Sequence, residues 1–254
     1  MADIKNRSQF EAWLRKQPRE VAVALAARVA LRVLPVVQTA KGYKGCLVVA
    51  VFRATAVSWS KAKYPAHETE LAAYAAAAYA AAVVAAAVRT AAAYAAVAAT
   101  RAGAGAAHAA VYADARAYAV AGASADAATT ASAAGYASDA AIRYFWSALS
   151  IDATRVEKGK KTCDVAGSPL WPHGQPDELR TLWQELAAGL LAAKQDWRVW
   201  TNWYEDRLDG RFREEERELG YVRIDEFLWG QNPAIVNAEI KRRFDERAPP
   251  ATAG

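Results

Sequence analysis

The chain has 254 residues, 54% of them hydrophobic, with a formal net charge of +5. Much of the apolar fraction is alanine, which favours helix more than any other residue, so the composition argues against a sheet-based fold and for a helical one. Only Cys46 and Cys163 are present, without paired spacing, which argues against a disulfide framework and makes a reducing cytoplasm the expected setting.

The opening MADIKNRSQF has no signal-peptide pattern. Ser8-Gln9-Phe10-Glu11 reads as a capping box that starts a short helix, and Pro18 suits the first turn of the next one. From Arg19 to Leu34, Val21, Leu25, Val29 and Val33 recur every four residues as an apolar stripe that Pro35 ends. Thr39 to Gly45 is a turn-rich connection. Leu47 to Lys63 then predicts a third helix, closed by Tyr64-Pro65. Residues 1–70 hold twelve Lys/Arg against five Asp/Glu, so the charge excess lies here. Arg15, Arg19, Arg28, Arg32, Lys41, Lys44 and Arg53 are the candidate contacts to nucleic acid or an anionic membrane surface. Their spread over several segments without interleaved aromatics favours ordinary solvated faces.

Leu71 to Ala141 differs in kind, with forty alanines among its 71 residues. The strict alternation from Tyr112 to Asp126 mimics a strand, yet the helix propensity of alanine and the scarcity of β-branched residues favour helix. Gly103 and Gly105 are the best place for a turn between two long helices. Leu71 to Val88 is an uncharged run of 18 residues, long enough to span a membrane. It is mostly alanine, Tyr74 and Tyr79 share one half, and Arg89 follows at once. A projecting helical hairpin is therefore expected, with no integral membrane insertion.

Tyr136 to Lys158 predicts an amphipathic helix carrying Ile142, Phe145, Trp146 and Leu149, stopped by Gly159. Lys160 to Gln175 is a loop in which Pro169 and Pro172 bracket Trp171. Pro176, Asp177 and Glu178 open a helix bearing Leu179, Leu182, Trp183, Leu186 and Leu190, which either continues into WRVWTNWYEDRLDG or breaks near Gln195-Asp196. Trp197, Trp200 and Tyr204 extend the leucine register and are assigned to the core. Trp203, at the edge of that face, and Trp171, in its proline-bracketed loop, are the candidate partner-binding residues. Arg207, Arg211, Arg213 and Arg217 interleave with acidic residues as a solvated, ion-paired surface. Asn232-Pro233 caps a final helix packed by Ile235, Val236 and Ile240, and APPATAG is a tail.

Catalytic chemistry finds little support. His67, His108 and His173 lack metal-ligand spacing, so neither a metal nor a cofactor is expected. Cys163, ten residues before His173, has no context of a nucleophilic pair. Gly42-Tyr43-Lys44-Gly45 is too short for a phosphate cradle, and Glu205, Asp206 and Asp209 flank Arg207 as surface ion pairs. No catalytic residue is assigned.

EAWLRKQPREVAVALAARVALRVLP, FWSALSIDATRVEKG, SPLWPHGQPDEL, WRVWTNWYEDRLDG and LWGQNPAIVNAEIKRR together resemble an uncharacterised family of alanine-rich bacterial proteins, mainly alphaproteobacterial. The resemblance covers most of residues 8–246 apart from the alanine-rich middle. It implies a modular adaptor or scaffold and supplies no catalytic residue.

The expected fold is all-α. Basic N-terminal helices (1–70) and a Trp-rich region (142–247) share one core, a hairpin (71–141) projects from it, and 248–254 form a tail. The expected function is a non-catalytic helical interaction module that binds a protein partner or a second copy of itself. Nucleic-acid or anionic-surface binding is the alternative, and an enzyme with an unrecognised site comes third.

Overall fold

The sequence is rich in alanine, the strongest helix former, and its described segments between prolines are mainly helical. The structure is a computed structural model that describes residues 2–39, 45–74 and 139–246. Among these the fold is all-α, without a strand. In chain order the helices are α1 (Arg7–Leu14), α2 (Arg19–Val33), α3 (Gly45–Lys63), α4 (Asp139–Glu157), α5 (Thr162–Ala166), α6 (Asp177–Ala192), α7 (Arg198–Asp209), α8 (Glu215–Gly220), α9 (Glu226–Trp229) and α10 (Pro233–Glu246). Most of the expected hairpin, with Lys41, Lys44 and the tail, lies outside the described residues.

The first cap sits two residues upstream of the expected box. Asn6, not Ser8, is the extended N-cap: its side chain accepts the Gln9 N–H at 3.0 Å, and Gln9 Oε1 reaches back to the Lys5 N–H at 2.8 Å. The reciprocal logic is the same, because an amide pair at this spacing satisfies two orphan donors as a Ser/Glu pair would. Leu34–Thr39 then tightens into a 3-10 turn, where Pro35 lacks an N–H that the first turn does not use.

α2 is buried on every side, not along one stripe: every residue from Val21 to Val33 is enclosed, Arg28 and Arg32 included. Its alanines let neighbouring helices approach closely, and α3, α4 and α5 pack around it. The core residues of the N-terminal and C-terminal regions form one cluster, from Ile4 through Phe52 and Trp59 to Trp200 and Phe244.

The aromatic residues of that cluster lock α3 to α7. Phe52 stacks on Trp200 with ring centroids 5.1 Å apart, and Trp203 meets Trp59 edge-on at 6.3 Å. Trp203 is thus buried, at 1% exposure, between Phe52 and Trp59, and has no free edge to offer. A helical-wheel edge stays exposed only if one neighbour packs on the helix; α7 lies between α3 and the Tyr221 segment, so both flanks are covered.

Arg207 departs from the expected solvated surface for the same reason. Its guanidinium lies 3.9 Å from the Trp59 ring centre and donates through Nη2 to both Glu218 oxygens, at 2.8 and 2.7 Å. Both residues are buried, and the Arg213 N–H bonds Glu218 Oε1 at 2.7 Å. Charge alternation on a helix surface does not distinguish a solvated arginine from one that an aromatic face and a carboxylate draw inward.

The α6–α7 junction breaks at the expected place. Lys194 and Asp196 both adopt left-handed φ, 52° and 54°, at a cost of about 1–2 kcal/mol each for non-glycine residues. Buried Asn237 of α10 holds this turn: its Nδ2 donates to Gln195 O at 2.8 Å, while its Oδ1 accepts from Trp200 Nε1 at 2.9 Å. Val236, Ile240 and Phe244 form the buried stripe of α10, and Ile235, one residue out of that register, is exposed.

Because Trp203 is enclosed as fully as Trp200, Trp203→Ala should destabilise the fold by about 3–5 kcal/mol, like Trp200→Ala. Urea denaturation of both variants checks this. A Trp203→Ala midpoint equal to that of the wild type would mean that its indole is not packed in the core.

Candidate binding cleft

The site begins with two arginines one turn apart on α2. Arg28 Nε and Arg32 Nη2 both donate to Asp152 Oδ2 on α4, at 2.7 and 2.6 Å. All three residues are almost wholly buried. Arg155 adds a longer contact to Asp152 Oδ1 at 3.4 Å. Burial alone would raise the Asp152 carboxyl, but the Arg28 and Arg32 guanidiniums outweigh it and hold its pKa below the ordinary value. Desolvation pushes Arg32 down to about 10, which Asp152 opposes and neighbouring Arg28 reinforces; Arg32 remains charged at neutral pH.

One carboxylate cannot satisfy two guanidiniums, and most of the remaining donors turn to backbone carbonyls of residues 165–170, while Arg32 Nη1 has no partner among the described residues. Arg28 Nη1 donates to Val165 O and Ser168 O, each at 2.8 Å, and its Nη2 to Pro169 O at 2.8 Å. Arg32 donates to Leu170 O through Nε and Nη2, at 3.1 and 2.8 Å. The loop is thereby pinned, and the Arg32 guanidinium lies 5.5 Å from the Trp171 ring centre. Leu170 N–H also bonds Leu208 O of α7 at 3.2 Å. Gly210, the left-handed C-cap of α7, permits the contact: a Cβ there would come within 2.5 Å of Pro169 N.

This pinned loop forms one wall of a cleft of about 770 Å³, with α6 and α7 as the others. Trp171 and Gln175 line it from the loop, Trp183, Ala187, Ala188 and Leu191 from α6, and Glu205, Leu208 and Asp209 from α7. The paired alanines keep the cleft open where larger side chains would close it. Trp183 packs on Tyr204 with centroids 4.2 Å apart, and the Tyr204 hydroxyl donates to Leu31 O at 3.2 Å. Burial raises the pKa of that phenol far above its ordinary value, slightly countered by the nearby Gln175 amide.

Two buried donors of the lining, Trp171 Nε1 and Gln175 Nε2, have no hydrogen-bond acceptor; the Gln175 amide faces the Tyr204 hydroxyl without forming a bond of normal geometry. At the rim, Asp209 is paired with Arg211 at 2.7 Å, and Arg180 with Asp177 at 3.1 Å. Glu205 is exposed and has no ion-pair partner among the described residues.

The two candidate partner residues are thus separated. Trp171 lines the cleft although its own side chain is only 4% exposed, whereas Trp203 belongs to the core. The candidate anionic-surface residues do not converge either. Arg15 is exposed on α1, Arg19 pairs with Glu68 at 3.2 Å, and Arg28 and Arg32 are the buried clamp. Arg53 is also buried, bonded to the Glu226 carboxylate and 4.6 Å from the Trp229 ring centre. Arg28, Arg32 and Arg53 are therefore enclosed, correcting the solvated reading of these three. Sequence reasoning missed Gln175 and the Ala187-Ala188 pair; the only available signal was two small residues beside Trp183 on one helix.

The remaining chemistry is scattered. Cys163 is half-buried on α5 beside Asp164, with Sγ 3.9 Å from Oδ1, while His173 is exposed. His67 Nε2 lies 2.6 Å from Glu215, and its Nδ1 is 3.1 Å from Arg223. Among the described residues no cluster of His, Cys, Asp or Glu is arranged to hold a metal. No described helix is long and apolar enough to cross a membrane. Compared with known proteins, the chain matches no protein-family model, no curated protein and no solved structure.

Asp152 determines two measurable responses. Removing it leaves two buried guanidiniums under-compensated, so Asp152→Ala should destabilise by about 3–5 kcal/mol at neutral pH. A lowered folded pKa means that the unfolded chain takes up the proton first on acidification. The stabilisation is therefore complete above about pH 4 and is lost as pH falls further. Glu239, drawn down to about 2 by Arg242 and Arg243, loses its contribution over the same range. Urea midpoints between neutral pH and pH 2 should fall for the wild type, and fall less for Asp152→Asn, which has no carboxylate left to protonate.

Proposed function

We propose that the protein is a helical interaction module that holds a segment of a partner protein in the cleft between the SPLWPHGQP loop, α6 and α7. The observation that carries this reading is an open cleft with a largely apolar lining, formed by Trp171, Trp183, Ala187, Leu191 and Leu208.

The walls favour binding over a structural hollow. The loop is immobilised by Arg28 and Arg32, so its geometry is set before any ligand arrives, and preorganisation lowers the ordering cost of association. Nucleic-acid binding finds less support, since Arg28, Arg32 and Arg53, three of the candidate contacts, are enclosed and ion-paired.

Photo-crosslinking tests the proposal. Gln184, exposed at the cleft, is replaced by benzoylphenylalanine, and the full-length protein is irradiated in its native cells. The expected result is a discrete adduct that Ala188→Arg abolishes without lowering the melting temperature, because the arginine would fill the cleft and pair with Glu205. The mass of the adduct separates a different protein from a second copy of this chain. Absence of any adduct that Ala188→Arg removes would overturn the proposal.

A further inference from the structure

Two short segments run side by side at one end of the molecule and hold cations with no acid between them. The Trp13 indole donates from Nε1 to Glu157 Oε1 at 2.9 Å, which ties the last turn of α1 to the last residue of α4, 144 residues away in sequence. A few residues on, Arg19 at the start of α2 and Thr162 at the start of α5 line one small hollow of about 40 Å³. Between these two ties the chain reads Leu-Arg-Lys-Gln-Pro on one side and Lys-Gly-Lys-Lys on the other. Arg15, Lys16, Lys158, Lys160 and Lys161 are all exposed, and none has an ion-pair partner among the described residues. Gly159 turns the lysine segment at a left-handed φ of 79°, with nothing within 4 Å of where a Cβ would stand, so the turn stands clear of its neighbours.

The helix C-termini of α1 and α4 end here, each carrying roughly half a negative charge, so they offset only about one of the five cations. The nearest exposed carboxylates in sequence, Glu20 and Asp164, lie beyond the ties, and Glu157 is engaged by Trp13. We infer that this basic end docks on the anionic headgroups of a membrane surface, by charge alone and without insertion. Such contacts use clusters of roughly four to eight Lys or Arg. Neither segment exposes a large apolar side chain: Leu14 is buried, and Trp13 is half-buried with its N–H committed. Nothing there enters the acyl region, and no exposed ring is offered for a base to stack on. The cations come from two adjacent turns, not from an element shaped to enter a duplex groove. The patch shares no residue with the cleft, so the inference stands whether or not the cleft is occupied.

Flotation of the intact chain with lipid vesicles tests the inference. At low salt the protein is expected to float with vesicles of equal parts phosphatidylglycerol and phosphatidylcholine, and to stay behind with phosphatidylcholine alone. Lys158→Gln, Lys160→Gln and Lys161→Gln combined should lower the partition coefficient about a hundredfold, at about fivefold for each cation near the surface. All three are exposed, so the melting temperature should not change. Arg15→Gln with Lys16→Gln should lower it about twentyfold from the other segment. Neutralising Arg143, Arg180 and Lys241, exposed on α4, α6 and α10, removes as much net charge as the lysine triple and should leave most of the binding intact. An equal loss from that second triple would assign the effect to net charge and overturn the inference. So would failure to float with the anionic vesicles, unchanged partition of either patch variant, or tighter binding to duplex DNA than to vesicles at equal phosphate concentration. Retention on vesicles at about 1 M salt, where charges are screened within about 3 Å, would show insertion and overturn it as well.

Discussion

Asp152 is the constraint on which the rest of the arrangement depends. Placing two arginines at i and i+4 on a fully enclosed helix puts two like charges in a low-dielectric interior, where neither is tolerable alone. A single carboxylate from α4 neutralises one charge and bridges both. The guanidinium donors left over then require oxygen, and the nearest supply is the carbonyl row of residues 165–170. A loop with no regular secondary structure becomes a fixed wall because buried donors leave it no other conformation.

A second set of charges is handled differently. Arg207 Nη2 donates to both Glu218 oxygens, its Nη1 to Arg211 O at 3.3 Å, and the Trp59 face covers the guanidinium. The pair sits where α3, α7 and the segment around α8 meet, so it ties the C-terminal helices to Trp59 of the N-terminal region. Arg53, with Glu226 and Trp229, repeats the motif nearer the surface. In each case arginine serves as a planar, amphipathic core residue, a use that lysine could not match.

The cleft is a by-product of these fixed elements as much as a designed hollow. Its loop wall is held by the Asp152 clamp, and its α7 wall by the aromatic stack. Its depth comes from Ala187 and Ala188, where α6 has no bulk to fill the space. Trp171 is enclosed in that wall at 4% exposure, beside the Arg32 guanidinium.

Local chemistry was legible in the residues themselves. Proline and glycine punctuation marked both ends of α2, the C-terminal ends of α3 and α4 and the start of α6, and Asn232-Pro233 marked α10; Trp197, Trp200 and Tyr204 are buried as expected, although the break at Lys194–Asp196 interrupts the leucine register. Composition alone determined an all-α chain, since alanine and leucine favour helix whatever they pack against. Only the tertiary structure decided which charged and aromatic residues were enclosed. Trp203 at a wheel edge, Arg207 among acidic neighbours and Arg28 and Arg32 in a basic segment all carry surface signatures, and all are buried. Burial is a property of what packs on the second and third sides of a helix, from partners more than a hundred residues away for Arg28 and Arg32. Periodicity within one helix contains no information about those partners.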